Sequence, residues 1–194
     1  MNSRNFFGIL GNRADFILAS SFSPQVPCDI MWSFQVLRFF SRAFFEAVDA
    51  KSAWIASDGH SQNIVNVALA FAELNYQPTH IFEALAKDAD GFIAKAQRSN
   101  SPQAHVCNVC WSIAILGLVK SNAGLVTALW VHLTSSNIHP KLSYADFSRM
   151  TQIELYAKVE SVELKPMPEQ LLARMQPEML RNKRSKQSSK YTEE

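Results

Sequence analysis

The residues with the most chemical promise lie between His105 and Cys110. Cys107-Asn108-Val109-Cys110 is a C-x-x-C, with His105 two residues ahead of it. Zinc sites and redox dithiols use this spacing. A structural zinc site needs four ligands, and Cys28 is the one other cysteine in the chain. The H-x-E element of a zinc deaminase is also missing. Within the repeat set out below, Cys107 shares a column with Val65 and Cys110 with Ala68, so both are expected to be core residues. No metal and no cofactor is expected. Three cysteines cannot build a disulfide framework, which favours a reducing compartment. The histidines, at 60, 80, 105, 132 and 139, have no acids at ligand spacing. No phosphate-binding loop, dinucleotide fingerprint, H-E-x-x-H or G-x-S-x-G occurs. The chain is therefore expected not to be an enzyme.

Composition narrows the scaffold that must position any binding residues. In 194 residues, 47% are hydrophobic and 19% charged, enough apolar surface for a core. Six glycines fall short of the usual share of about 7%, which argues against a turn-rich sandwich or barrel and for helices. The formal net charge is +2. Arg181, Lys183, Arg184, Lys186 and Lys190, against Glu193 and Glu194, give the C-terminal tail +3, leaving residues 1–180 at about −1 by difference. Bulk charge thus gives the body no pull on a polyanion. The longest apolar run, Val109 to Val119, is well short of the ~20 residues of a membrane span, so no membrane insertion is expected. The N-terminus lacks a long apolar stretch, and it carries Asp15 as well as Arg4 and Arg13, so it makes no clear transit peptide.

Self-comparison is the strongest signal. A shift of 37 brings Gln25 onto Gln62, Asp29 onto Asn66, Phe34 onto Phe71 and Leu37 onto Leu74, and the same shift brings Phe45-Glu46-Ala47-Val48 onto Phe82-Glu83-Ala84-Leu85. A shift of 42 carries Asn66-Val67-Ala68 onto Asn108-Val109-Cys110 and Leu74 onto Leu116. Ser101-Pro102-Gln103 repeats Ser23-Pro24-Gln25, and Trp111-Ser112 repeats Trp32-Ser33. A shift of 38 lays Phe6-Phe7 on Phe44-Phe45 and Phe16-Ile17 on Trp54-Ile55.

Each unit predicts two helices. Ser-Pro-Gln is a helix start, with serine as cap and proline at the first helical position. The first helix is apolar nearly all round, from Ile64 to Leu74, as a helix covered on several sides must be. Asn75 and Gly117 stand where a C-terminal cap belongs. The second helix opens near Pro78-Thr79 with Ile81, Phe82, Leu85 and Ala86 as its stripe. The expected fold is all-α: an α-solenoid of tandem two-helix repeats of about 37–42 residues. The array spans residues 1–164, with a partial first unit, units near 23–59, 60–100 and 101–140, and a degenerate unit at 142–164. Residues 165–194 are expected to form a short helix, near Glu169 to Leu180, and a disordered basic tail.

The phrase Ser-Pro-Gln, then Asn or Asp, then Trp-Ser or Ala-Phe-Ala, then Leu and often Gly, resembles the octotricopeptide-type repeats of organellar RNA-binding proteins. Related regions occur in FAST-kinase-like and RAP-domain proteins and in a subunit of an RNA-editing substrate-binding complex. The resemblance covers roughly residues 6–164 and is closest from Ser101 to Gly117. Met150-Thr151-Gln152-Ile153-Glu154-Leu155-Tyr156 is similar to the stretch that precedes a RAP domain, which does not follow here. The kinase signature loops are missing, so the label carries no kinase activity. What the resemblance implies is RNA binding in mitochondrial or chloroplast RNA metabolism (transcript processing, stabilisation or translation). The implied partners are an organellar transcript or ribosomal RNA, with other RNA-processing proteins beside it. A protein-interaction scaffold on the same solenoid is the alternative.

Helical repeats read RNA with one or two side chains per unit. The polar residues on otherwise conforming helices are the candidates: Gln25, Arg38, Gln62, Asn63, Gln103, His105 and Lys120. Arg181, Lys183 and Arg184 of the tail add nonspecific phosphate contacts. The column Asp29/Asn66/Asn108 has two open roles, contact with RNA or a bond to the loop of the next unit. Trp32 and Trp111 share a column with Leu69, which favours core packing over stacking on bases. The charge of the concave face discriminates the two functions: a basic groove favours RNA, a neutral or apolar one a protein.

Overall fold

The computed structural model describes residues 3–135 and 141–174. These residues are all helical in their regular structure, with no strand among them. The helices are α1 (Ser3–Asn12), α2 (Ala14–Ser20), α3 (Gln25–Val36), α4 (Arg42–Ala50), α5 (Ser52–Asp58), α6 (Ser61–Glu73), α7 (Ile81–Ala86), α8 (Ala89–Gln97), α9 (Pro102–Ile115), α10 (Ala123–Leu133) and α11 (Tyr144–Val159). Residues 169–174 are helical as well. The rest of the expected short helix and the whole basic tail lie outside the described residues.

Like packs on like, one unit apart. The long, apolar helices α3, α6, α9 and α11 pack on one another in that order. The shorter helices do the same, α2 on α4, α5 on α7 and α8 on α10. Side-chain hydrogen bonds beyond the local turn connect residues 30 to 44 positions apart, about one unit length. The first helices are apolar on several sides because each has neighbours on several sides: Ile64, Val65, Val67, Ala68, Ala70 and Phe71 are all essentially without exposure.

Each first helix ends on the same turn. Arg38, Asn75, Gly117 and Ser161 have φ of 52°, 54°, 68° and 59°, the left-handed region. The amide after each reaches back five residues: Phe39 to Phe34, Tyr76 to Phe71, Leu118 to Ile113 and Val162 to Ala157, at 2.8–3.0 Å. This is a Schellman cap with its apolar contact, and Phe34 and Phe39 stand 5.1 Å apart, Phe71 and Tyr76 4.9 Å. Asn75 and Gly117 are thus C-terminal caps, as their types suggest. Arg38 and Ser161 occupy the same turn without the signal, because L-residues other than glycine and asparagine adopt it at a cost of about 1 kcal/mol. The four turns lie 37, 42 and 44 residues apart, which puts α11 in register with α9.

Two expectations need correction. The second half of a unit is not one helix: in the units near 23–59 and 60–100 it is a pair, α4 with α5 and α7 with α8, broken at Lys51 and at Lys87-Asp88. At the second break Asp88 supplies a fresh N-cap, its Oδ1 accepting from the Gly91 amide at 2.9 Å. The serine of Ser-Pro-Gln does not cap either: Ser101 makes no side-chain cap bond, and at α3 the cap position falls on Pro24. Proline carries the start of α9, and long-range acceptors serve the segments that follow the first helices. Asp49 of α4 accepts from the amides of Thr79, His80 and Ile81 at 2.7, 3.1 and 3.2 Å, and so caps α7 from the preceding unit. Glu160 accepts from Val119 and Lys120 at 3.2 and 2.9 Å.

Candidate functional site

Positions i, i+4, i+7 and i+11 fall on one face of a helix. On α3 these are Gln25, Asp29, Trp32 and Val36. The shifts fixed by the left-handed turns carry them to Gln62, Asn66, Leu69 and Glu73 on α6, and to Ala104, Asn108, Trp111 and Ile115 on α9. On α11 they reach Ser148, Gln152, Leu155 and Val159. The four sets share a surface, because Trp111 Nε1 donates to Gln152 Oε1 at 2.9 Å across the α9–α11 boundary. Gln62 Nε2 donates to Asn66 Oδ1 at 2.8 Å along α6. The face therefore carries an amide and carboxylate lane, Asp29 to Gln152, beside an aromatic and aliphatic lane, Trp32 to Leu155.

The aromatic lane is not core throughout. Trp32 is 50% exposed and Leu155 61%, while Leu69 and Trp111 are half-buried. The expectation of core packing holds in part for Trp111, whose ring also lies 5.7 Å from the Arg149 guanidinium. It does not hold for Trp32, because α3 has no first helix packed ahead of it among the described residues. The amide lane makes no bond to a following loop either. Asn66 bonds within its helix, and Asn108 Oδ1 is buried without a partner. A buried acceptor left unpaired is costly.

Charge on this face is scant over its first three helices, while α11 brings the Arg149 guanidinium to Trp111. α3, α6 and α9 contain no lysine or arginine. Their acids are Asp29 and Glu73, and Glu73 is engaged by Arg38 at 3.3 Å and by Gln35 at 3.0 Å.

The residues singled out in the sequence do not form one cluster. Gln25 and Gln62 are exposed at the N-terminal ends of α3 and α6, and lie on the face just described. Asn63 is buried and accepts from the His60 amide at 3.0 Å, a structural bond. Gln103 and His105 are buried at the start of α9, and His105 Nδ1 lies 2.9 Å from Ser61 Oγ. Arg38 and Lys120 sit at the opposite ends of the first helices, Arg38 bridging to the Glu73 carboxylate and carbonyl. Arg181, Lys183 and Arg184 lie outside the described residues. His105 also lines a cleft of about 410 Å³ with Asp58, His60, Lys95 and Arg98. Lys95 is already committed there, its Nζ donating to the Ala56 and Ser57 carbonyls at 2.6 Å. Burial holds the His105 pKa below its ordinary value.

The thiols offer no chemistry. Cys28, Cys107 and Cys110 are fully buried. Burial pushes Cys28 and Cys110 up to about 12 and Cys107 well above its ordinary range, so thiolate is scarce. Cys107 Sγ donates to the Asp146 carbonyl at 3.4 Å. No group of three or more His, Cys, Asp or Glu is arranged to hold a metal among the described residues. No helix among them is long and apolar enough to cross a membrane.

Sequence reasoning missed Gln152 and Leu155 as members of the lanes, because the fourth unit has too little identity to align. The spacing of the left-handed turns is the signal that places them. It also missed Asp49 and Glu160, single acids whose partners are backbone amides about 30 and 40 residues away. Comparison of the chain with protein-family models, with curated proteins and with solved structures gives no match.

Proposed function

We propose that the chain is an α-solenoid of tandem helical units acting as a protein-interaction scaffold, which holds an extended peptide segment along the face of its first helices. The carrying observation is that α3, α6 and α9 pair an amide lane with an aromatic and aliphatic lane and have no basic residue. A polyanion gains its affinity largely from phosphate neutralisation, which these three helices do not supply. A peptide backbone is neutral and presents N–H and C=O groups along its length. First helices spaced by about 8–10 Å match about three residues of extended chain per unit, one amide contact for each. Gln25 and Gln62, exposed at the N-terminal ends of α3 and α6, are the amides this lane opens to such a backbone.

Unstructured peptides selected against the full chain from a displayed random library test this. Expected is binding that Gln62→Ala weakens about tenfold, the value of one hydrogen bond of about 1.4 kcal/mol, and that Trp32→Ala weakens by a similar factor. Raising salt from 50 to 500 mM should change Kd little. A chain that selects no peptide and binds mixed-sequence single-stranded RNA with a steep salt slope refutes the proposal.

RNA binding in mitochondrial or chloroplast transcript metabolism is the second proposal. It is favoured by the edge cleft, where His60, Arg98 and His105 stand near the ends of α6 and α9 and could meet a phosphate while the amide lane meets bases. That arrangement predicts loss of RNA affinity in Arg98→Ala, with peptide binding untouched.

A further inference from the structure

We infer that copies of this chain associate head to tail, the leading flank of α3 in one copy seating in the groove on α11 of the next. The internal packing supplies the template. Each first helix turns a leading flank to the helix before it and a trailing flank to the helix after it. His105 on the leading side of α9 meets Ser61 on the trailing side of α6, and Cys107 on the trailing side of α9 meets the Asp146 carbonyl of α11. Helical spacing extends the leading flank of α9 to Val109 and Ser112, and of α6 to Asn63, Val67 and Ala70, all buried.

On α3 the equivalent positions are Val26, Ile30, Ser33 and Leu37. Val26 is 52% and Leu37 55% exposed, and Ile30 and Ser33 are half-buried. The stripe is uncharged, and Phe22 just ahead of it is fully exposed. Among the described residues, eight of the 12 exposed large hydrophobic ones fall between residues 9 and 40, a concentration that marks an association surface.

The other end holds the matching seat. A groove of about 360 Å³ on α11 is lined by Phe147, Thr151, Glu154 and Lys158, with Tyr144 and Leu155. The first four are the counterparts of Gln103, Cys107, Cys110 and Ala114, the trailing flank with which α9 receives α11. Glu154 and Lys158 neutralise each other at 3.2 Å, so an uncharged stripe meets no unpaired charge there. Stripe and groove are thus the two halves of the contact that already joins α6 to α9. Because they are different surfaces at opposite ends, the contact does not close on itself and gives open chains of copies.

Sedimentation equilibrium of the full chain up to about 100 µM tests this, a range that detects contacts of micromolar strength. Expected is an average mass that rises with concentration past the dimer. Val26→Lys with Leu37→Lys removes the stripe, and Thr151→Lys obstructs the groove; each variant alone should be monomeric. Mixed in equal amounts they should form a one-to-one dimer and nothing larger, since one intact stripe then meets one intact groove. Far-UV circular dichroism confirms that both remain folded, and Leu37→Glu replaces the double variant if it does not. A monomer at every concentration, a mixture that stays monomeric, or self-association that survives both variants overturns the inference. So does an assembly lost only in the stripe variant, which would be a symmetric α3–α3 contact.

Discussion

Asp49 holds two units together, and removing its carboxylate tests the account of how the helices are joined. It is 3% exposed, and its oxygens accept from Thr79, His80 and Ile81 amides and from Ser52 Oγ. Asp49→Ala leaves three amides at the start of α7 without an acceptor. Thr79 and His80 are partly open to water, so each loses about 1 kcal/mol net. The Ile81 bond is buried, and its orphaned donor costs about 1–3 kcal/mol. Relief from burying a carboxylate returns part of this. The expected loss is about 3 kcal/mol, and about half as much for Asp49→Asn, which keeps one acceptor oxygen. With an m-value of about 2 kcal/mol/M, the urea midpoint should fall by about 1.5 M. Hydrogen exchange adds a local check: the amides of Thr79 to Ile81 should lose protection before those of α9 do. A loss below about 1 kcal/mol, or an asparagine variant as unstable as the alanine one, would refute the reasoning.

Three further outcomes follow from particular residues. Ser161 holds φ of 59° at the end of α11, so Ser161→Gly should raise stability by about 0.5–1 kcal/mol in urea melts, whereas Gly117→Ala should lower it by a similar amount. His105 is 7% exposed, and burial lowers its pKa. Below about pH 6.5 the unfolded chain binds a proton that the folded one refuses, so its contribution is full above that pH and is lost as pH falls towards the depressed folded value. His132 acts in the same direction, so urea melts from pH 7.5 to 5.5 should show a decline that His105→Gln reduces without abolishing. The three thiols should resist iodoacetamide at pH 8 in native protein and react together in urea, because burial suppresses their thiolates. Fast native labelling of Cys107 or Cys110 would restore a redox role.

The helical character of the chain was legible because it rests on local chemistry. Pro102 at a first helical position, apolar residues on several sides from Ile64 to Phe71, and Asn75 and Gly117 at left-handed turns report backbone preferences that need no tertiary contact. The columns Asp29/Asn66/Asn108 and Trp32/Leu69/Trp111 followed from the same register. The sequence could not say which columns face solvent, since exposure depends on what packs beside each helix. Trp32 and Trp111 share a position, yet Trp32 is open and Trp111 bridges to Gln152 because α11 lies next to α9. Asn63, Gln103 and His105 looked like surface polar residues and proved to be buried, on flanks where adjacent first helices press together.

What the amino-acid sequence determined by itself was therefore the helical character and the left-handed caps at Asn75 and Gly117, both properties of short segments. The tertiary structure alone decided the split of the second helices, the acceptors that Asp49 and Glu160 supply to amides of neighbouring segments, and the exposure of one flank of α3. The physical reason is range. A helix start or a left-handed cap is settled within about six residues, whereas a carboxylate that caps a helix 30 residues away, or a flank that has lost its neighbour, is specified only once the units are stacked.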